Sequence, residues 1–347
     1  MIPLMKLLQG KDMGVAIVND RCVSLLENYD IEVHSTRKGR SAILCETNCG
    51  TMILKEYAAR REKSVFQDAV LNMICECGFS QVETIVKNKE QELLTTDQDG
   101  ISYILKTYYD GRECNVRDSR ECMLAMETLA LLHRSSRVRG ELPAVTVPYT
   151  VSQEFDKHNK ELRRVRKFLK EKGQKTDFEI YLMQCYDYFW ELAQRVAGEL
   201  EKSNIAKALN TPAIVCHGDF QHHNLIVTST GIHIINFEKC TQDSPARDIY
   251  LFMRKLLEKN DWNQEAGFAL ISAYEKNNEL CREDYEQLYY RLSYPEKFWK
   301  IVNFYYNSGK AWIPGKNLEK LIKVNEQEVL KKEFLLNFRE KYGILSL

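Results

Sequence analysis

No run of about 18 apolar residues, the length that crosses a bilayer, occurs in the 347-residue sequence, and the opening MIPLMKLLQGKDMG has no long apolar core. The expectation is a cytosolically synthesised, cytoplasmic protein with no membrane segment. Net charge is lacking too. Lys plus Arg and Asp plus Glu both number 49, so no global field argues for nucleic acid or an acidic membrane as a partner. The sequence has no internal repeat and no low-complexity stretch. The 11 cysteines are scattered, with only Cys75 and Cys77 closely spaced, which builds neither a disulfide framework nor a zinc pattern. Most are expected to be reduced, buried and apolar in character.

What the chain does have is the composition of a folded protein, 44% apolar and 28% charged, at a length that suggests two domains or one bilobal unit. Its most informative stretch runs from Cys216 to Lys239. Two apolar runs, 225–227 and 232–235, flank Ser229, Thr230 and Gly231, the composition of a hairpin loop. If Thr228 pairs with Ile232, the same antiparallel register pairs Asn224 with Asn236. Opposed residues in such a ladder have Cα atoms roughly 4.5–5.5 Å apart, so both amides reach one divalent cation or one polyphosphate. Asp219 lies in the loop feeding that end.

Three oxygen-bearing side chains at one hairpin mouth point to a Mg-nucleotide site. In kinase catalytic loops an Asp orients the acceptor hydroxyl, an Asn five residues on holds a metal, and an acidic residue after the next strand holds metal and phosphates. His217-Gly218-Asp219 and Asn224 have that spacing. The third position carries Asn236, whose amide offers a carbonyl oxygen but not the charge that Mg2+ prefers. A competing reading gathers His217, Asp219, His222 and His223 into a hydrolase metal cluster.

Strand-like runs at 42–46 and 51–55 surround Asn48-Cys49-Gly50, and the second ends on Lys55. A kinase-like small lobe places there the lysine that contacts the α- and β-phosphates; the other reading is a solvated strand-end lysine. A glycine-rich phosphate loop is missing. Gly39 stands alone, so the turn from Arg37 to Ser41 either holds phosphate with side chains as well as backbone N–H groups, Ser41 among them, or is a plain surface turn. A helix is expected over 60–77, with Phe66, Ala69, Met73 and Cys77 on its apolar face. Glu62 falls near the centre of that face and Asp68 about 120° away, so Glu62 is the candidate partner of Lys55. Otherwise it is a first-turn glutamate favoured by the helix dipole.

Further strands are expected at 83–87, 92–95 and 102–108, a hinge at Thr107 to Gly111, and mainly helix thereafter. His133 reads as a structural histidine. The basic face of Arg163, Arg164, Arg166, Lys167, Lys170 and Lys172 reads as a solvated helix face or a seat for an anionic partner. Asp248 is placed to accept hydrogen bonds from the catalytic-loop backbone. The aromatic run from Tyr294 to Trp299 is core, a cleft wall or a partner surface.

The HGD loop with Asn224 matches the H-G-D-x-x-x-x-N loop of the aminoglycoside phosphotransferase and choline kinase-like group. Further marks are Gly111-Arg112-Glu113-Cys114, Leu129-Ala130-x-Leu132-His133, the YPEKFW run at 294–299 and Lys310-Ala311-Trp312-Ile313-Pro314. On these the chain resembles the CotS-like spore coat proteins, a branch of the aminoglycoside phosphotransferase and protein kinase-like superfamily. The resemblance implies an α+β, bilobal protein kinase-like fold. A small N-lobe, 1–107, has an antiparallel sheet plus one helix, and a larger, mainly helical C-lobe, 108–347, carries the catalytic loop and the metal-site hairpin. It also implies ATP and Mg2+ as cofactors, an unknown hydroxyl-bearing acceptor, synthesis in the mother cell of an endospore-forming bacterium, and other spore coat proteins as partners. The candidate set is then Asp219 as the catalytic residue, Lys55, Glu62 and Ser41 for the nucleotide, Asn224 and Asn236 for the metal, and His217 and Asp248 as support. The alternative is a catalytically weak or inactive pseudokinase that serves as a coat assembly module.

Overall fold

The structure, a computed structural model, describes residues 23–39, 42–144, 150–203, 205, 214–307 and 314–344. Ser41 and residues 310–313 of the last marker stretch lie outside the described residues. The chain forms two compact units. One comprises the chain through Asn115, Val138–Thr146 and Gln221–Cys240, and the other Val116–Arg137, Val147–Phe220 and Thr241–Leu347.

In the first unit, β1 (Val33–Gly39), β2 (Ala42–Thr47) and β3 (Gly50–Glu56) are followed by helix α1 (Arg61–Glu76), β4 (Ile85–Val86), β5 (Thr95–Thr96) and β6 (Ser102–Thr107). The sheet order is β1-β2-β3-β6-β4, with β5 also on β6, and every pairing is antiparallel. Burial alternates along β2 and β3, the period of a half-buried sheet, and puts Ile43, Cys45, Met52 and Leu54 into a core with Leu25, Leu26, Tyr29 and Leu105. The strand expected at 92–95 shrinks to Thr95–Thr96. The Asn88 side chain accepts the Glu92 N–H at 2.8 Å and closes a turn there instead.

Helix α1 forms where its pattern predicts, but a different face is buried. Phe66, Gln67, Val70, Leu71 and Ile74 are covered, whereas Ala69, Met73 and Cys77 are half-buried and Glu62 is exposed. The branched Val70, Leu71 and Ile74 outweigh the smaller set and turn the helix by roughly 100°, one residue's step.

The segment after Thr107 passes through Gly111 to a short strand, β7 (Arg112–Glu113). A Cβ at Gly111 would lie 2.4 Å from the Val227 carbonyl oxygen, so only glycine allows the approach. It lets Arg112 and Glu113 pair with the hairpin strand Leu225–Thr228, and the Cys114 N–H then donates to Leu225 O at 2.9 Å. Val82 bridges Ile234 on the other hairpin strand. The hairpin, read from sequence as part of the C-lobe, therefore packs within the first unit, and one cut after residue 107 does not separate the two. Its register also differs from expectation by one residue. Thr228 pairs with Gly231, and Val227 with Ile232, because the Thr228 hydroxyl accepts the Thr230 N–H at 3.1 Å and closes a two-residue loop.

The second unit is mainly helical: α2 (Ser119–Ser135), α3 (Val151–Glu171), α4 (Asp177–Lys202), α5 (Ala246–Lys259), α6 (Gln264–Glu275), α7 (Arg282–Ser293), α8 (Glu296–Asn307), α9 (Pro314–Glu326) and α10 (Glu328–Lys341). A two-stranded ribbon, Ile214–Cys216 with Thr241–Asp243, brings the HGD loop out beside α5. Capping boxes at Thr150 with Gln153 and at Thr176 with Glu179 start α3 and α4. These two helices bury Leu162, Val165, Leu169, Leu182 and Phe189 against Tyr294 and Phe298. Arg163, Arg164, Lys167 and Lys170 face solvent on the opposite side of α3. The YPEKFW run divides: Tyr294 and Phe298 are core, whereas Trp299 stacks on His158 with ring centroids 3.5 Å apart. Among the described residues no helix is long and apolar enough to cross a membrane.

Candidate functional site

Within the first unit, β3 delivers Lys55 to the foot of the hairpin. Its ammonium donates to Asn236 Oδ1 at 3.3 Å and to Glu238 Oε1 at 3.2 Å. Asn236, two residues past the strand end at Ile234, is in a left-handed conformation, φ 69° and ψ 58°, which asparagine tolerates better than most residues. From there its Nδ2 donates to Asn224 Oδ1 at 2.9 Å. The two amides meet despite the changed register, because Asn236 has left the ladder. In that register Asn224 lies opposite Ile235, whose N–H donates to Asn224 O at 3.0 Å.

What holds this turn is a pair of carboxylates that the sequence reading missed. Glu83, fully buried, accepts the N–H groups of Asn236 at 2.8 Å and of Phe237 at 3.0 Å. Lys106 on β6, 1% exposed along its side chain, sits 2.9 Å from both Glu83 and Glu238. Burial pushes the Glu238 carboxyl up, but Lys106 and Lys55 outweigh that and hold it down at about 2. Burial alone would lower the Lys106 pKa; the two carboxylates raise it instead. The signals were present: Lys106 interrupts the apolar strand Ile104-Leu105, and Glu238 lies two residues past Asn236.

Lys55 is thus paired with Glu238 and Asn236. Glu62, its expected partner, is exposed. The two amides offer oxygen donors of the kind a hard cation takes, so the residue types fit Mg2+. They bring no charge, and Glu238, which shares Lys55 with Asn236, is already matched by two lysines. The donor set therefore suits a metal that arrives with anionic phosphates better than a free ion.

Within the second unit, the HGD loop is fixed from behind. Asp248 on α5 is fully buried, and its carboxylate accepts the His217 N–H at 2.6 Å, the Gly218 N–H at 2.8 Å and the His133 Nε2 side at 3.0 Å. Burial would raise its pKa; His133, His217 and the backbone donors lower it. Gly218 has φ +77°, a turn that brings consecutive N–H groups onto one carboxylate. The Asp219 N–H then donates to His217 Nδ1 at 3.1 Å. Half-buried Asp219 is left at the front of a supported loop. His133 is tied on its other side to the Tyr274 hydroxyl at 2.8 Å.

Among the described residues the set His217, Asp219, His222 and His223 is not a group with metal-ligand spacing; the group that has it is His133, Cys216 and Asp248. All three are buried and hydrogen-bonded, Cys216 to Ser244 O at 3.2 Å, so this triad is support. Beside Gly218 the second unit opens a cavity of about 300 Å3, walled by Arg247, Tyr250, Arg291, Trp299 and Lys300 among others.

Comparison with known proteins shows the family and the fold. The model of the family described as "Spore coat putative kinase YutH" matches residues 23–338. Spore coat protein S of Bacillus subtilis is 23% identical over 333 residues, 90% of each chain. An aminoglycoside phosphotransferase from Alicyclobacillus acidocaldarius superposes with a TM-score of 0.80 at 18% identity, over 93% of this chain and 96% of its own. The amicoumacin kinase hAmiN, solved with AMP-PNP and Ca2+, superposes with a TM-score of 0.59 at 12% identity, over 93% and 94% of the two chains. The fold is accordingly kinase-like, with an antiparallel N-terminal sheet followed by a mostly helical region, and the chain belongs to the YutH family of spore coat kinase-like proteins.

Proposed function

We propose that the protein is an ATP- and Mg2+-dependent phosphotransferase that acts on a hydroxyl acceptor and works in or on the spore coat. The observation that carries the reading is the Lys55–Asn236–Asn224 arrangement, a lysine and two amides held at a hairpin foot by Glu83 and Lys106. Nucleotide and divalent metal are supported by the structural neighbour solved with both. The coat setting is supported by the similarity to spore coat protein S.

In this mechanism Lys55 fixes the α- and β-phosphates and Asn224 with Asn236 holds Mg2+, whose chemistry is to neutralise phosphate charge. Asp219 orients the acceptor hydroxyl and takes its proton. Positioning and charge neutralisation supply most of the rate in phosphoryl transfer, so an uncharged amide at position 236 slows the reaction or weakens metal affinity without abolishing transfer. Glu83, Lys106 and Asp248 act through the groups they position.

The test follows phosphate from γ-labelled ATP into a pool of small hydroxyl compounds and coat protein extracts. Label transfer that Asp219→Ala and Lys55→Ala both abolish is the expected result. Equal labelling by the wild type and Asp219→Ala would overturn the assignment. Absence of transfer together with absence of nucleotide binding would leave a coat assembly module of kinase-like fold.

A further inference from the structure

We infer that the acceptor carries an anionic group, a carboxylate or phosphate ester, received in the cavity beside Gly218; calling the ligand an acceptor rests on the phosphotransferase reading, the anionic chemistry does not. The wall has four cationic side chains, Lys157, Arg247, Arg291 and Lys300, against two carboxylates, Glu154 and Glu296. The carboxylates are already committed. Glu154 lies 3.3 Å from Arg247 and 3.1 Å from Arg291, and Glu296 lies 3.1 Å from Lys300 and 3.3 Å from His158.

The two guanidinium groups are held at their Nη ends only. Asp243, behind them, meets Arg247 at 2.9 Å and Arg291 at 3.5 Å. The Nε–H of each is buried without an acceptor, and the Arg291 side chain is 5% exposed. A guanidinium has five donors, and a buried donor without an acceptor is costly. Those Nε atoms are sealed from the cavity, so what an anion meets there is the charge of the cation-rich wall. A cationic ligand would meet only repulsion and an already paired carboxylate.

Lys255, on α5 with Arg247, adds to the field. It is close enough to Asp219 for the carboxylate to oppose the lowering of its pKa by burial, Arg254, Lys300 and Lys259. A group of cations crowded around the loop that presents Asp219 is stabilised when an anion joins it. The flat wall formed by Trp299 stacked on His158 suits a ring face, and about 300 Å3 is the lower end of the usual range for small-molecule sites. The cavity therefore takes a body of about monosaccharide size.

A matched hexose series tests this on the full chain. Glucuronate and glucose 6-phosphate supply the two anions, glucose is the neutral control and glucosamine the cation. Each is titrated calorimetrically without nucleotide, then offered with ATP and Mg2+ while phosphorus NMR follows transfer. At least one anionic hexose should bind about ten-fold or more tighter than glucose and glucosamine, and weaken at high salt. Lys255→Gln and Lys300→Gln, at partly exposed side chains, should each reduce that affinity several-fold with unchanged thermal melts. Equal or tighter binding of glucose or glucosamine, or binding by none of the four, overturns the inference. Anion binding with neither phosphate transfer nor ATP binding would uphold the anionic site and sink the phosphotransferase reading. Transfer to glucose or glucosamine in preference to the anions would do the reverse.

Discussion

Replacing Glu238 by Gln removes the one carboxylate shared by Lys55 and Lys106, and its cost can be worked from the structure. The carboxyl falls from 4.5 to about 2 on folding, which at about 1.4 kcal/mol per pH unit makes about 3 kcal/mol of stability at neutral pH. Its side chain is 24% exposed, so solvent screening does not erase the effect. The folded state holds this proton less tightly than the unfolded state. The contribution is therefore complete above about pH 4.5 and disappears as the pH falls toward 2. Urea unfolding of wild type and Glu238→Gln at several pH values reads it directly. The wild type should lose about 3 kcal/mol relative to the variant between pH 5 and pH 2, and at pH 7 the variant should be weaker by a similar amount. Parallel stability curves over that range would refute the buried charge network.

Three further substitutions probe separate contacts. Gly111→Ala drives a Cβ into the Val227 carbonyl oxygen at 2.4 Å, and should cost about 1–3 kcal/mol of stability in a thermal melt; an unchanged melting temperature would contradict the close approach. Asp248→Asn leaves a buried group with too few acceptor lone pairs for His217, Gly218 and His133. A loss of about 3 kcal/mol is expected, with faster hydrogen exchange at the His217 and Gly218 amides; equal exchange would show that the loop does not depend on this carboxylate. Asn236→Asp restores an anionic oxygen, and should make ATP binding more steeply Mg2+-dependent, by about ten-fold in apparent metal affinity. An unchanged metal dependence would take the Asn236 oxygen off the metal.

The parts of this protein legible in sequence are those governed by local rules. The strand-like runs around Asn48-Cys49-Gly50 gave β2 and β3, Ser229-Thr230-Gly231 marked the hairpin, and Asn224 and Asn236 were brought together at its foot. The parts that escaped depend on which long-range partner a side chain finds. Glu62 was placed on the apolar face by periodicity, but the volumes of Val70, Leu71 and Ile74 decide which side of α1 is covered. The hairpin register turned on one threonine hydroxyl at Thr228. Glu83 and Lys106 stand 23 residues apart, and Lys106 meets Glu238 a further 132 residues on, a distance no window of local pattern spans. Only the oddity of a lysine inside an apolar strand pointed there. The cavity cations lie on α3, α5, α7 and α8, and their convergence is a property of helix packing alone.

The central claim is that Lys55 and the two amides form a working Mg-nucleotide site, and calorimetric titration with ATP, with and without Mg2+, tests it most directly. Saturable binding that requires Mg2+ and weakens in Lys55→Ala is the predicted result. No binding to the native protein under either condition would contradict the claim, and would leave the kinase-like fold serving the spore coat as an assembly module.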